Sequence, residues 1–203
     1  MTVKISSEWF DVNFSGQRVM AIARNLGVEK TIEFAEAVWA VGIQAFEVTL
    51  QSEEDIRSLR EIVKLASPNG YLVGAGTVTS RADVEAAKEA GAAFTISPGF
   101  DPEIVTASLE AGLPSLPGVA TATEVQRARS LGLTWLKAFP AIHLGPEWFH
   151  AIAGPFPEVR FSASGGLNAE NARTFLDAGV AAVGIGSSLA DPSQLPKVAA
   201  LLQ

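Results

Sequence analysis

The stretch LGLTWLKA, residues 131–138, shares one form with four others: VGIQAFEV (41–48), AGAAFTIS (90–97), AGLPSLPG (111–118) and AGVAAVGI (178–185). Each has glycine at its second position and turns β-rich within a few residues. Glycine just past a helix accepts the left-handed backbone that closes it, and the run that follows leaves room for only a very short loop. The form is therefore a helix-to-strand join that fixes the height at which each strand begins.

Working outward from these joins, eight candidate strands are found. They are VMAIAR (19–24), AFEVTL (45–50), LVGAGT (72–77), FTISPG (94–99), PSLPGV (114–119), WLKAFP (135–140), VRFSAS (159–164) and AAVGIG (181–186). Between them lie segments with helical apolar spacing, such as EKTIEFAEAVWAV (29–41) and SRADVEAAKEA (80–90). Ser80, Thr121 and Asn168 stand where N-caps belong. Strands alternating with helices predict a parallel sheet, and strands this apolar predict that both faces are covered. Eight units predict closure into a (β/α)₈ TIM barrel, with residues 1–203 as one domain. The rival, an open doubly wound sheet, often carries an early Gly-rich dinucleotide loop. Here GAGT (74–77) follows the third strand and no GxGxxG occurs. Residues 1–17 are expected to form an N-terminal helical extension, with SSEWFDVNF (6–14) covering the bottom of the barrel.

Composition bounds the function. Hydrophobic residues make up 48% of 203, enough for one sizeable core. A net charge of −7 argues against binding nucleic acid or an anionic membrane surface. It leaves open a small anionic substrate, which a few local cations or N–H groups can hold. There is no cysteine, so disulfide, thiolate and zinc–sulfur chemistry are absent. MTVKISSEWFDVNF lacks the apolar run of a secretory signal, and LVGAGTV (72–78) is too short to span a bilayer. A cytoplasmic location is expected.

Lys137 sits inside the apolar run WLKAFP with no acidic neighbour in sequence. Glu47 and Lys137 each follow their glycines, Gly42 and Gly132, by five residues, on the second and sixth strands. In a (β/α)₈ barrel, inward side chains of alternate strands share a layer, so the two are expected in one layer from opposite walls. An apolar interior disfavours the charged form of an amine, and a neutral amine forms Schiff bases with carbonyl substrates. A neighbouring carboxylate can move the protons of the carbinolamine and enamine steps. A buried structural ion pair, or a lysine reaching out from a strand end, fits the same two residues.

The seventh and eighth strands end in SASGG (162–166) and GIGSS (184–188). Glycine-rich turns leading into helices bring N–H groups close to an anion, and barrels commonly build phosphate sites from these two loops. Ser164, Gly165, Gly166 and Ser187 are the candidate phosphate contacts. Arg24, ending the first strand, is suited to a substrate carboxylate, and Thr77 and Pro98 offer a hydroxyl and a rigid apolar wall. Each also fits an ordinary strand-end residue. His143 and His150, the only histidines, show no metal-ligand spacing; no metal or cofactor is expected.

With these residues in place, the chain resembles the 2-keto-3-deoxy-6-phosphogluconate aldolases. That family also takes in 4-hydroxy-2-oxoglutarate and 2-keto-3-deoxy-6-phosphogalactonate aldolases. The resemblance rests on EVTL, GAGTV, ISPGF, PGVATATE, LKAFPA, AIAGPFPEVRFSASGG and GIGSSL, in order from about Val19 to Leu189. It implies a metal-independent class I aldolase, usually a trimer, that cleaves a 2-keto-3-deoxy sugar acid to pyruvate and an aldehyde such as glyceraldehyde 3-phosphate. Lys137 matches the Schiff-base lysine and Glu47 the proton-transferring glutamate. Arg24, Thr77, Pro98 and Phe139 match the lining of the pyruvate half, and Ser164, Gly165, Gly166 and Ser187 the phosphate loops. Many members read EVTLR where this chain reads EVTLQ. Gln51 shares the inward parity of Glu47 and Thr49, so it is expected to face substrate. PGVATATE and HLGPEW lean toward the galactonate type, AIAGPFPEVRF toward the gluconate type. A phosphosugar isomerase or epimerase on the same barrel, and a non-catalytic sugar-acid-binding barrel, remain as alternatives.

Overall fold

The computed structural model describes residues 1–202, with the side chains of Ser187, Ala190 and Pro192 outside that description. Nine short strands, all parallel, form one sheet: β1 Val19–Ala23, β2 Ala45–Thr49, β3 Leu72–Gly76, β4 Phe94–Ile96, β5 Ser115–Leu116, β6 Gly118–Val119, β7 Trp135–Ala138, β8 Arg160–Ser164 and β9 Ala182–Ile185. Their order around the sheet is β5-β4-β3-β2-β1-β9-β8-β7-β6. The two ends of this order, β5 and β6, are one continuous run of chain interrupted at Pro117, so the sheet is a barrel of eight staves.

The interruption is the one place where the expected strand count differs, and its cause is the imino acid. Proline has no N–H for the ladder. Its carbonyl still accepts from Lys137 N at 2.9 Å, and Gly118 N donates to Gly99 O at 3.1 Å. The residues before Pro117 therefore pair with β4 and those after it with β7.

Among the described residues ten α-helices accompany the strands: α1 Val3–Asn13, α2 Val28–Ala40, α3 Glu53–Ala66, α4 Arg81–Ala90, α5 Pro102–Glu110, α6 Ala122–Ser130, α7 Ala141–Leu144, α8 Pro146–Ala153, α9 Ala172–Asp177 and α10 Leu195–Ala199. The expected caps Ser80 and Thr121 both form capping boxes. Asn168 does not cap a helix directly. Its Oδ1 accepts from Glu170 N and Asn171 N at 2.9 and 3.0 Å, which builds a turn, and α9 starts only at Ala172. Asparagine bonding its own backbone two and three residues on favours such turns over helix.

The capping box of α6 yields a stability prediction. Thr121 Oγ1 accepts from Glu124 N at 3.3 Å, while the Glu124 carboxylate accepts from the N–H groups of Ala120 and Thr121 at 2.9 Å. Partial burial pushes the Glu124 carboxyl up, but the bonds from Ala120 and Thr121, with the nearby Arg127 charge, outweigh it and hold the carboxyl below the ordinary glutamate range. Thr121→Ala is expected to lower stability in urea by about 1 kcal/mol. A carboxyl depressed by folding stabilises fully above its unfolded pKa and loses that contribution as pH falls through the folded value. The Thr121→Ala deficit should therefore shrink below the ordinary glutamate range.

Strand side chains alternate between two environments. Phe46, Val48, Leu136, Ala138, Phe161 and Ala163 join the large core between sheet and helices. Met20, Ala45, Phe94, Trp135 and Ala182 point inward and pack with Phe10 and Phe14 as a separate cluster in the lower barrel. The N-terminal segment packs here. Ser6 and Ser7 of α1 accept from Ser115 N and Thr134 N at 3.0 and 3.2 Å, and the indole of Trp135 donates to Asp11 at 2.7 Å. The helix satisfies strand-start N–H groups and covers that end of the barrel.

Candidate active site

Glu47 follows Ala45 by two residues on β2, and Lys137 follows Trp135 by two on β7, so each lies one layer above the aromatic cluster on the inward face. The structure places Lys137 Nζ 3.5 Å from Glu47 Oε1, with the side chains 6% and 0% exposed. Neither Glu47 oxygen has a hydrogen-bond partner among the described residues. Burying such a pair costs desolvation that the mutual attraction repays only with good geometry and further hydrogen bonds. A pair this poorly bonded is therefore a weak source of stability. Its place in the fold is better explained by chemistry.

Room for the carboxylate comes from β3. A Cβ built on Gly76 would fall 2.0 Å from Glu47 Oε1 and 2.6 Å from its Cδ. The glutamate thus lies in the space a side chain would fill. Gly184 plays the same part on β9, where a Cβ would fall 2.2 Å from Ser164 Oγ.

Above the pair a cavity of about 480 Å³ opens at the C-terminal ends of the strands. Lys137, Phe139 and Arg24 line it, with Ser164, Gly165 and Gly166 on one side and the apolar Ile22, Phe34 and Leu167 completing the wall. Lys137 Nζ lies 5.4 Å from the centre of the Phe139 ring. The Ser164 hydroxyl is buried without a partner among the described residues. None of them accepts from the backbone N–H of Gly165 or Gly166. Backbone N–H groups left free beside a buried hydroxyl suit an anion.

Six of the residues expected from sequence thus share this cavity, with Glu47 against its floor. Three fall elsewhere, and a fourth, Ser187, has its side chain outside the described residues. Pro98 lines a second hollow of about 270 Å³ between the loops after β3 and β4. Thr77, in neither cavity wall, has φ +60, unusual for a β-branched residue. Gln51 is exposed and does not line the cavity; its Oε1 accepts from Arg24 Nη1 at 2.7 Å.

Ile22, Gly76 and Gly184 were not singled out from the sequence. Ile22 shares the parity of Arg24 and pairs in register with Glu47, so parity could have found it. The two glycines leave no such mark, because their contribution is space. His143 and His150 are exposed on α7 and α8. Among the described residues no group of three or more His, Asp or Glu is placed to hold a metal ion, and no helix is long and apolar enough to cross a membrane.

The family model described as KDPG and KHG aldolase matches residues 11–201. The chain belongs to the KDPG and KHG aldolase family. A probable 2-dehydro-3-deoxy-6-phosphogalactonate aldolase of Rhizobium meliloti (strain 1021) is 35% identical over 86% of this chain and 82% of its own. Among solved structures of the family, the 4-hydroxy-2-oxoglutarate/2-dehydro-3-deoxyphosphogluconate aldolase from TTHB1 is 37% identical. It covers 96% of this chain and 98% of its own, with a TM-score of 0.84. The KDPG aldolase of Legionella pneumophila, with pyruvate captured as a covalent carbinolamine, is 31% identical. It covers 93% and 94%, with a TM-score of 0.81. KDPG and KHG aldolase folds of this kind are TIM barrels, as the joins and strand count of this chain lead one to expect.

Proposed function

We propose that this chain is a class I aldolase that cleaves a 2-keto-3-deoxy sugar acid reversibly through a Schiff base on Lys137. The observation that carries the reading is the Lys137 amine 3.5 Å from the Glu47 carboxylate against the floor of the cavity. The amine attacks the C2 ketone to give a carbinolamine, and loss of water leaves the iminium. Glu47, through a water, assists that dehydration and takes the C4 hydroxyl proton. As the C3–C4 bond breaks, its electrons pass to the iminium as an enamine and the aldehyde leaves. Protonation of C3 and hydrolysis then free pyruvate and restore the amine. The steps as written need no cofactor.

Arg24 is suited to the substrate carboxylate, and Phe139 covers the reacting carbon. Ser164, Gly165 and Gly166, together with Ser187, are proposed to hold the distal phosphate. Binding energy spent there, far from the chemistry, orients the reacting bond. Pro98 and Thr77, which lie outside this cavity's wall, are given no part in the steps above. A homotrimer in the cytoplasm is part of the same proposal, and light scattering should return three times 21.3 kDa.

The test combines two assays. Pyruvate release, coupled to lactate dehydrogenase, is measured across phosphorylated and unphosphorylated keto-deoxy acids of both the gluconate and galactonate series. Borohydride with pyruvate is then used to trap the imine. Turnover of a phosphorylated acid together with a pyruvyl adduct at Lys137 is the expected result. Absence of the adduct points to an isomerase or epimerase, and an adduct-free chain with no turnover of any acid points to a binding protein.

A further inference from the structure

Arg24 is the cation at the cavity mouth, and the structure shows what holds it. Arg24 shares the inward parity of Met20 and Ile22, and Gln51 that of Glu47 and Thr49, on the adjacent paired strands β1 and β2. Both side chains emerge above the last ladder bonds, where Arg24 Nη1 donates to Gln51 Oε1 at 2.7 Å. Gln51 is itself tied down, since its backbone N–H donates to Asp55 Oδ2 at 3.1 Å. That carboxylate also accepts from Ser52 Oγ at 2.8 Å, at the N-terminus of α3. Among the described residues no carboxylate lies within ion-pair distance of Arg24, and Gln51 is its one hydrogen-bond acceptor.

We infer that Gln51 is a positioning residue, which fixes the Arg24 guanidinium over the cavity while leaving its charge whole for the carboxylate of a 2-keto acid. A long exposed arginine loses rotamer freedom when it binds an anion. An acceptor that holds one of its five N–H groups beforehand removes part of that loss. The acceptor must be neutral. A glutamate here would bond Arg24 at least as well but would compete with the substrate anion for the same charge. An arginine would repel Arg24 and accept nothing. Gln51 thus acts through Arg24 without touching substrate, which explains why it stands outside the cavity wall.

The inference rests on the aldolase reading, and the experiment separates the two. Pyruvate is the probe, and the readout is the pyruvate concentration at which borohydride trapping at Lys137 reaches half its maximum. Wild type must first form the adduct; if it does not, the aldolase reading itself fails. Given the adduct, Gln51→Ala is expected to raise half-saturation about fivefold, with the maximal trapping rate within twofold of wild type. Gln51→Glu is expected to raise it further, although the hydrogen bond is kept. In an Arg24→Ala background both changes should have no additional effect. Unchanged half-saturation in Gln51→Ala overturns the inference. So does a Gln51→Ala effect of equal size with and without Arg24, which would mean that Gln51 contacts the substrate directly. A variant that lowers Tm with unaltered half-saturation would assign Gln51 a purely structural part and would overturn it as well.

Discussion

Lys137→Met should abolish the pyruvyl adduct and lower kcat/KM for sugar-acid cleavage by on the order of 10⁴-fold or more, the scale at which enzymes lose a covalent nucleophile. Methionine keeps the length of the side chain and removes the amine. The same variant should be less stable, because Glu47 is fully buried and its carboxylate oxygens have no hydrogen-bond partner among the described residues. Removing one member of a buried pair leaves an uncompensated charge and costs about 3 kcal/mol. The double variant Lys137→Met with Glu47→Leu replaces the pair by apolar groups, so its denaturation midpoint should recover most of that loss while activity stays absent. Urea unfolding of the two variants, beside borohydride trapping, separates the chemistry of the pair from its effect on the fold. If Lys137→Met kept the adduct, the nucleophile would have to be another amine, and the mechanism would be wrong.

Gly76→Val is the second large effect expected, and its cause is steric. The Gly76 backbone is not in the left-handed region, so a β-carbon is allowed by φ. It is excluded by position, since it would stand 2.0 Å from Glu47 Oε1. The Glu47 side chain must then leave its place beside the lysine. Misplacing a catalytic group by about 1 Å costs roughly 10²-fold, so kcat should fall at least that far. KM should change less, because Arg24 and the loops after β8 and β9 are untouched. Gly76→Ala should give a smaller loss of the same kind, in proportion to the volume added. A Gly76→Val enzyme with normal kcat would show that Glu47 can act from another position, and would remove the main support for its role in proton transfer.

The parts of this architecture that depend on periodicity are legible in the sequence. The five glycine joins marked the helix-to-strand turns, and the caps at Ser80 and Thr121 marked two helix starts. The matched offset of Glu47 and Lys137 from their glycines placed both in one layer, because strand side chains alternate with a period of two and the joins fix the height of each strand. The break at Pro117 was present as a proline in the run PSLPGV, but its consequence depends on which neighbours lie on either side.

Contacts between residues distant along the chain were not legible. Nothing in LVGAGT says that the second glycine yields its space to a glutamate 29 residues earlier. Nothing in EVTLQ says that the glutamine, inward by parity, meets an arginine 27 residues away rather than the substrate. Local pattern carries backbone conformation and the side of the sheet to which each residue points, since those follow from sterics within a few residues. Which side chain fills which space is settled when the staves close and eight separate stretches compete for one interior. In this aldolase the lysine, the glutamate and the barrel around them belong to the first kind of information, and the room beside Glu47 and the tether on Arg24 to the second.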